Sequence, residues 1–422
     1  MTQILLPYGQ ATVPFEFEDQ RFATLTVDSH TEPPLSDIEV GAAFDAPIGS
    51  PPLDELISSD DSVLIVVSDA TRATASAQIV NLLVRRLIQS GVAAGNIAII
   101  FATGIHRAVT EAEKVQLLTP FIVQRIRTIV HNAYDASNLI SLGHTDGGVK
   151  VEVNRALRDF SRIIVIGGVG YHYFAGFTGG RKSICPGLAS AQTIEATHML
   201  ALDFERGGRK AGVGTGRLDG NAVHVECERV AQLVSPTFGI NTIIDDKKQA
   251  VGVFCGDWKQ AHRAACDHYL GSHSVEIESK RGLVIASCGG FPHDINLIQS
   301  HKAMDMAAQA CAEGGTIILL AQCADGLGRP DFMKWFEADD SRALEARLRD
   351  GYEVNGQTAW SLLTKAEKFR VILVSDLPDE SVRKMRMIPA ASLEKALREI
   401  DASIPGYVMP RGAAILPRVL NQ

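Results

Sequence analysis

The stretch "SVLIVVSDATR", residues 62–72, sets the architecture of this chain. Residues 63–67 are all apolar and mostly β-branched, with no polar alternation. A strand of that kind is buried on both faces, as in parallel sheets covered by helices. The residues after it turn abruptly polar, with Asp69 and Arg72. The same succession repeats along the chain. "ASAQIVNLLVRRLIQSG" (75–91) predicts a helix closed by glycine, and "NIAIIFA" (96–102) a second strand. "TEAEKVQLLT" (110–119) predicts a helix whose Thr110 and Glu113 have capping-box spacing. Further strands are predicted at 126–132 and 161–168. The pattern pauses between about 200 and 280. It resumes with a strand at 281–288, a helix at 296–315 ending on paired glycines, and strands at 316–322 and 369–376. We therefore expect an α/β protein of two domains, each with a mostly parallel sheet flanked by helices. The predicted boundaries are 1–272 and 278–404, with the tail 405–422 returning to the first domain.

Composition narrows the function classes. The 422 residues are 46% hydrophobic and 21% charged, with a formal net charge of −8. An acidic chain lacks the basic face of a nucleic-acid partner. No apolar run reaches the 18 or so residues of a membrane span. The N-terminal stretch shows no basic, signal-like region. Seven cysteines at wide spacings, with no C-x-x-C, support neither a disulfide framework nor a thiolate zinc site. These features point to a reducing, cytoplasmic setting.

The unusual polar residues cluster after the strands, where loops converge in open parallel sheets. Asp69 and Arg72 follow the first strand, His106 the second, and His172 and Lys182 the strand at 161–168. Gln299 and Lys302 follow the strand at 281–288. Four strand ends feeding one rim predict a single active site in the cleft between the domains. Each residue also has a plain reading: Asp69 as a turn cap, Arg72 as a surface charge, His172 as a packed residue between two tyrosines. His198 has Ile194 and Leu202 at i−4 and i+4, so on local pattern it is a core histidine. The stretch "GFTGGRKS" (176–183) resembles a phosphate loop, but Arg181 occupies a required glycine position and Pro186 opposes a helix after Lys182. Gly179 and Gly180 still suit close approach to an anion, with Lys182 as a point charge or nucleophile. That leaves open a lysine-tethered pyridoxal-phosphate-type enzyme and a non-catalytic α/β ligand-binding protein.

Taken together, "SDATR", "GIHR", "GYHYFAGFTGGRKSICPG", "THML" and "FPHDINLIQSHKA" resemble the nickel-dependent lactate racemase family. The motifs stand in the family's order between residues 68 and 305. The resemblance implies a racemase or epimerase of a 2-hydroxy acid. It would use a nickel-pincer nucleotide and reversible hydride transfer through a keto acid. By motif position, Lys182 is similar to the lysine that holds this cofactor covalently, and His198 to the nickel-ligating histidine. His106 and His172 match the acid/base pair on opposite faces of the substrate. Asp69, Arg72, Gly179, Gly180, Gln299 and Lys302 match cofactor- or substrate-binding positions. The implied partners are a small 2-hydroxy acid and the enzymes that make the cofactor, with neither nucleic acid nor membrane. Departures fall on the pocket wall: "TRATA" lacks the family's frequent prolines, and Ile298 stands where a tyrosine is common. Trp360, in "EVNGQTAWSLL", lies close to the position of the family's substrate-contacting tryptophan. The chemistry is thus predicted more sharply than the particular hydroxy acid.

Overall fold

The computed structural model describes residues 1–27 and 32–420. They divide into two compact units. The first comprises 32–201 and 210–271; the second comprises 1–27, 202–209 and 272–420.

The first unit is built on a six-stranded sheet. Its spatial order is Ala250–Gly256, Phe238–Ile244, Arg162–Gly168, Val63–Ser68, Ile97–Ala102 and Arg127–Val130. All neighbours are parallel except the pair Phe238–Ile244 and Ala250–Gly256. Residues 63–67 are completely buried, each contributing about 1.5–3 kcal/mol through burial. Helix Ser76–Gln89 covers one face with Ile79, Val80, Leu83, Val84 and Leu87. Helix Ala222–Val234 contributes Val223, Val230 and Ala231 to the other core. Helix Glu111–Leu118 starts with the expected capping box. The order of connection reverses between Val63–Ser68 and Arg162–Gly168. Loops leave such a switch point in opposite directions and open a crevice at the carboxyl ends of the strands.

The second unit carries an all-parallel six-stranded sheet. Its order is Ile388–Ala390, Arg370–Val374, Cys311–Leu320, Arg281–Ser287, Gly406–Met409 and Phe22–Thr24. Its switch point lies between Arg281–Ser287 and Gly406–Met409.

Four expectations are corrected. The apparent pause at 200–280 holds Ala222–Val234, Phe238–Ile244, Ala250–Gly256 and helix Trp258–His273, which complete the first unit. The helix expected over 296–315 ends at Ala310, and residues 311–320 form a strand. Cys311 pairs with Arg281 and Leu283 with Thr316, so Gly314 and Gly315 lie in a register shift rather than at a helix end. The N-terminal segment does not belong to the first unit, since Phe22–Thr24 pairs with Gly406–Met409. Nor does the tail return to the first unit. Gly406–Met409 pairs with Arg281–Ser287, and Leu416–Val419 with Ser274–Ile277.

Two glycines bring the loops of the first switch point together. A Cβ on Gly167 would stand 2.8 Å from Gly179 Cα, and one on Gly168 2.6 Å from the Ala73 carbonyl oxygen. Only bare backbone lets both loops lie on the end of strand Arg162–Gly168. Gly168→Ala is expected to cost about 1–3 kcal/mol, as overpacking does, lowering the thermal midpoint by several degrees. An unchanged melting curve would contradict this packing account.

Candidate functional site

Three loops at the first switch point carry the site. The first follows Val63–Ser68. Asp69 is 4% exposed. One of its oxygens, Oδ1, accepts from the Thr71 amide at 3.0 Å and the Thr71 hydroxyl at 2.6 Å. The other, Oδ2, lies 2.7 Å from His106 Nδ1. Burial pushes the Asp69 carboxyl up, but the hydrogen bonds from His106 and Thr71 outweigh it and hold the group below the usual carboxylate range. An ionised Asp69 fixes the proton of neutral His106 on Nδ1 and leaves Nε2 as a lone-pair base. The imidazole is half exposed, so this base is open to a ligand. Thr71 completes the arrangement, and sequence reasoning passed over it. Its Asp-x-Thr spacing, a common turn device, was the available signal.

The second loop, residues 169–190, is pinned from below. Thr178 Oγ1 donates to the Gly168 carbonyl at 2.7 Å, Ser183 Oγ to the Ile166 carbonyl at 3.1 Å, and the Gly180 amide to Asn241 Oδ1 at 2.9 Å. Gly180, at φ +49°, packs against His262, whose Cγ would stand 2.5 Å from an added Cβ. Its amide is thus committed to Asn241, and Gly179 and Gly180 shape the turn beneath Lys182. Arg181 is almost fully buried. It donates to the Ala175 carbonyl at 2.8 Å and lies 3.1 Å from His262 Nε2. Arg181, Asn241 and His262 were missed as site supports because the latter two lie in the segment read as a pause.

Above this turn, three groups gather around Phe174. The His172 ring meets it edge-on at 4.5 Å and the His198 ring at 5.0 Å. Lys182 Nζ stands 5.7 Å from its centroid and 3.5 Å from His172 Nε2. His172 Nδ1 accepts from the Ala175 amide at 3.3 Å, so in the neutral ring the proton sits on Nε2. Burial, reinforced by Lys182 and Arg72, holds His172 well below its ordinary value. Burial also pushes Lys182 down to about 7, helped by Arg181 and Arg72 and opposed by Cys227. A large share of Lys182 is then a free amine near neutrality, which is the nucleophilic form. His198 ends helix Ala191–Met199, capped by Ser190. Burial and Lys182 lower its value to about 3, so it presents a neutral imidazole, the form that binds metals. Arg72 is exposed, and its charge bears on Asp69, His172 and Lys182 alike.

Gln299 and Lys302 lie in the second unit, on the first and second turns of helix Leu297–Ala310. Lys302 Nζ donates to Gln299 Oε1 at 2.9 Å. Trp360 is buried in the same unit and donates its indole N–H to Glu345 at 2.9 Å. It is a core residue rather than a wall of an open pocket. All seven cysteines are buried and none is in a disulfide. Among the described residues no helix is long and apolar enough to cross a membrane.

The comparisons with known proteins agree with one another. Residues 8–208 match the lactate racemase N-terminal domain, and residues 277–407 the lactate racemase C-terminal domain. The lactate racemase of Thermoanaerobacterium thermosaccharolyticum is 30% identical, covering 99% of this chain and 100% of that protein. The lactate racemase of Lactiplantibacillus plantarum is 32% identical, covering 95% of each. The solved lactate racemase apoprotein of T. thermosaccharolyticum superposes with a TM-score of 0.90 over 99% of this chain and 100% of that one. A Thermotoga maritima protein shares the fold alone, at 18% identity and a TM-score of 0.64 over 91% of this chain. The chain belongs to the lactate racemase family, and it is an isomerase.

Proposed function

We propose that this enzyme racemises or epimerises a 2-hydroxy acid. His106 and His172 would move the hydroxyl proton on opposite faces, Lys182 would hold a nickel-pincer nucleotide covalently, and His198 would ligate its nickel. The observation that carries this reading is the grouping of Lys182, His172 and His198 around Phe174. The donor set fits the cofactor. An amine that is partly uncharged near neutrality suits a covalent tether, and a buried neutral imidazole suits a nickel ligand. When bound, the nucleotide supplies an electron-poor hydride acceptor, which no side chain offers.

The chain's own residues account for proton movement and orientation. His106, oriented by Asp69, takes the hydroxyl proton of one enantiomer at Nε2. Loss of that proton together with hydride leaves a planar keto acid, which can be refilled from either face. His172 serves the other face. As the protonated ring it returns a proton from Nε2 to the keto oxygen; a charged Lys182 beside it disfavours that protonated form, and a tether at Nζ removes the charge. Arg72, with a planar fork of donors, is proposed to hold the substrate carboxylate or the cofactor phosphate. Gln299 and Lys302 are proposed as further polar contacts. The cofactor must come from separate biosynthetic enzymes.

The test is mass analysis of the tryptic peptide containing Lys182, after co-expression with the cofactor-making enzymes. We expect a nucleotide-sized adduct on Lys182 and stoichiometric nickel. Optical inversion is expected in a screen of enantiopure 2-hydroxy acids. Unmodified Lys182, or absence of nickel, would remove the cofactor reading.

A further inference from the structure

His131 directly follows strand Arg127–Val130, at the edge of the first unit's sheet, and is 2% exposed. It is a buried titratable group that the proton movements above do not use. Each of its polar atoms has a partner. Its amide donates to the Phe101 carbonyl at 3.3 Å, and its carbonyl accepts from the Thr103 hydroxyl at 2.8 Å. On the ring, Nε2 lies 3.0 Å from the Ala189 carbonyl oxygen. A carbonyl can only accept, so Nε2 carries the proton. Nδ1 then accepts from Asn154 Nδ2 at 3.1 Å. Asn154 is itself fixed, since its Oδ1 accepts from the Ala156 amide and its own amide donates to the Leu188 carbonyl. Burial holds the His131 ring below its ordinary value and so keeps it neutral, against the opposing bond to Ala189.

These bonds lead to two different loops of the first unit. Thr103, 2% exposed, opens the loop that carries His106, and its carbonyl accepts from the His106 amide at 2.9 Å. Ala189 lies near the end of the loop that carries Lys182, one residue before Ser190 caps the helix of His198. The loops also meet directly, where the Gly104 amide donates to the Gly187 carbonyl at 2.9 Å. Gly104 has φ +53°, and an added Cβ would stand 3.3 Å from the Pro186 carbonyl oxygen. One bond between two loops leaves them free to turn about it. The second path, through His131, removes that freedom. A buried histidine needs partners, but a residue that merely filled the core would not need them on both loops.

We propose that His131 is a positioning residue for the reaction. It fixes His106 relative to Lys182 and His198, holding Thr103 with its carbonyl and Ala189 with its ring. The inference rests on the roles proposed above for those three residues. Proton and hydride leave adjoining atoms of one substrate, so their acceptors must keep a fixed separation. A misplacement of about 1 Å costs about 10²-fold in rate.

The test compares His131→Gln with His131→Asn in the full chain. The Gln amide N–H reaches as far as Nε2 and keeps the bond to Ala189. The Asn side chain reaches only as far as Nδ1 and keeps the bond to Asn154. Each variant forfeits one ring bond, so both should lower the thermal midpoint by similar amounts. A purely structural histidine predicts similar kcat values too. We expect instead that His131→Asn lowers kcat of the cofactor-bearing protein by about 10²-fold, with KM little changed and nickel content undiminished. His131→Gln should regain most of that loss. In the apo chain, hydrogen exchange of peptides spanning 103–110 and 185–195 should rise about tenfold in His131→Asn and stay near wild type in His131→Gln. Thr103→Val against Thr103→Ser repeats the comparison from the other loop, and decides the matter if the His131 variants do not fold. Equal kcat in the Gln and Asn variants, or Thr103→Val as fast as Thr103→Ser, would overturn the proposal. Wild-type protein without nickel or optical inversion would remove the functional reading instead. The apo exchange then still judges the tie: equal exchange in the Gln and Asn variants would show that the ring does not hold the two loops.

Discussion

Replacing His106 with alanine is expected to lower kcat in both directions by about 10²–10⁴, the usual worth of a positioned acid/base. The fall should appear in kcat more than in KM, because a half-exposed imidazole held by Asp69 contributes proton transfer rather than substrate grip. Asp69→Asn is the sharper probe. It keeps the shape of the loop but replaces an acceptor-only carboxylate with an amide that can present N–H to Nδ1. The proton of His106 then shifts to Nε2, and the base is lost while the ring remains. We expect that variant to fall within about tenfold of His106→Ala, since removing the lone pair at Nε2 removes the same proton acceptor. Thr71→Ala should cost much less, because Asp69 keeps its bond to the Thr71 amide. Initial rates from each enantiomer, measured with cofactor-bearing protein, check all three. Full activity of Asp69→Asn would show that the 2.7 Å contact does not set the tautomer.

The second large effect is acid lability of the first unit. His198 and His262 are held near 3 and His224 near 2, in each case by burial first. Nearby cations add to it: Lys182 for His198, and Arg181 for His262 and His224. These rings stay neutral in the folded chain down to about pH 4, whereas the unfolded chain protonates them below about 6.5. The unfolded state therefore binds more protons between these values, and stability falls as pH falls through that window. At pH 5 each ring contributes about 2 kcal/mol to the loss. Three together lower the melting point by about 10–20 °C in a unit of this size. Lys182 works in the same sense at higher pH. Its folded value near 7 lies below its unfolded one, so stability rises with pH between about 7 and 10.5. Thermal melts of the apo chain between pH 8 and pH 5 test the window. A midpoint flat from pH 7 to 5 would mean that these rings protonate without penalty.

Much of this architecture was readable because its strands are locally extreme. Residues 63–67, 97–101 and 163–166 are unbroken apolar runs, and such runs have few alternative placements. The polar residues just after them were readable for the same reason, since the switch point lies where those runs end. Phe238–Ile244 and Ala250–Gly256 were harder. Asn241 and Gly252 interrupt them, and one pairs antiparallel at the edge. The membership of Phe22–Thr24 was not readable at all. Three residues carry no periodicity, and their partner lies nearly four hundred residues away. His198 shows the limit from the other side. Its spacing on the helix is that of a core residue, and it is buried. Only its placement beside Phe174 and Lys182 distinguishes it from an ordinary packed histidine.

The strand Gly406–Met409 sits between Arg281–Ser287 and Phe22–Thr24. During synthesis the first unit has all its strands once residue 256 has emerged, and its last helix by residue 273. The second unit cannot close its sheet until the chain is almost finished. Between residues 273 and 406 the first unit is complete while Phe22–Thr24 still lacks its partner strand. A stalled or clipped chain ending before residue 406 would carry a complete first unit and an N-terminal strand with no sheet to join.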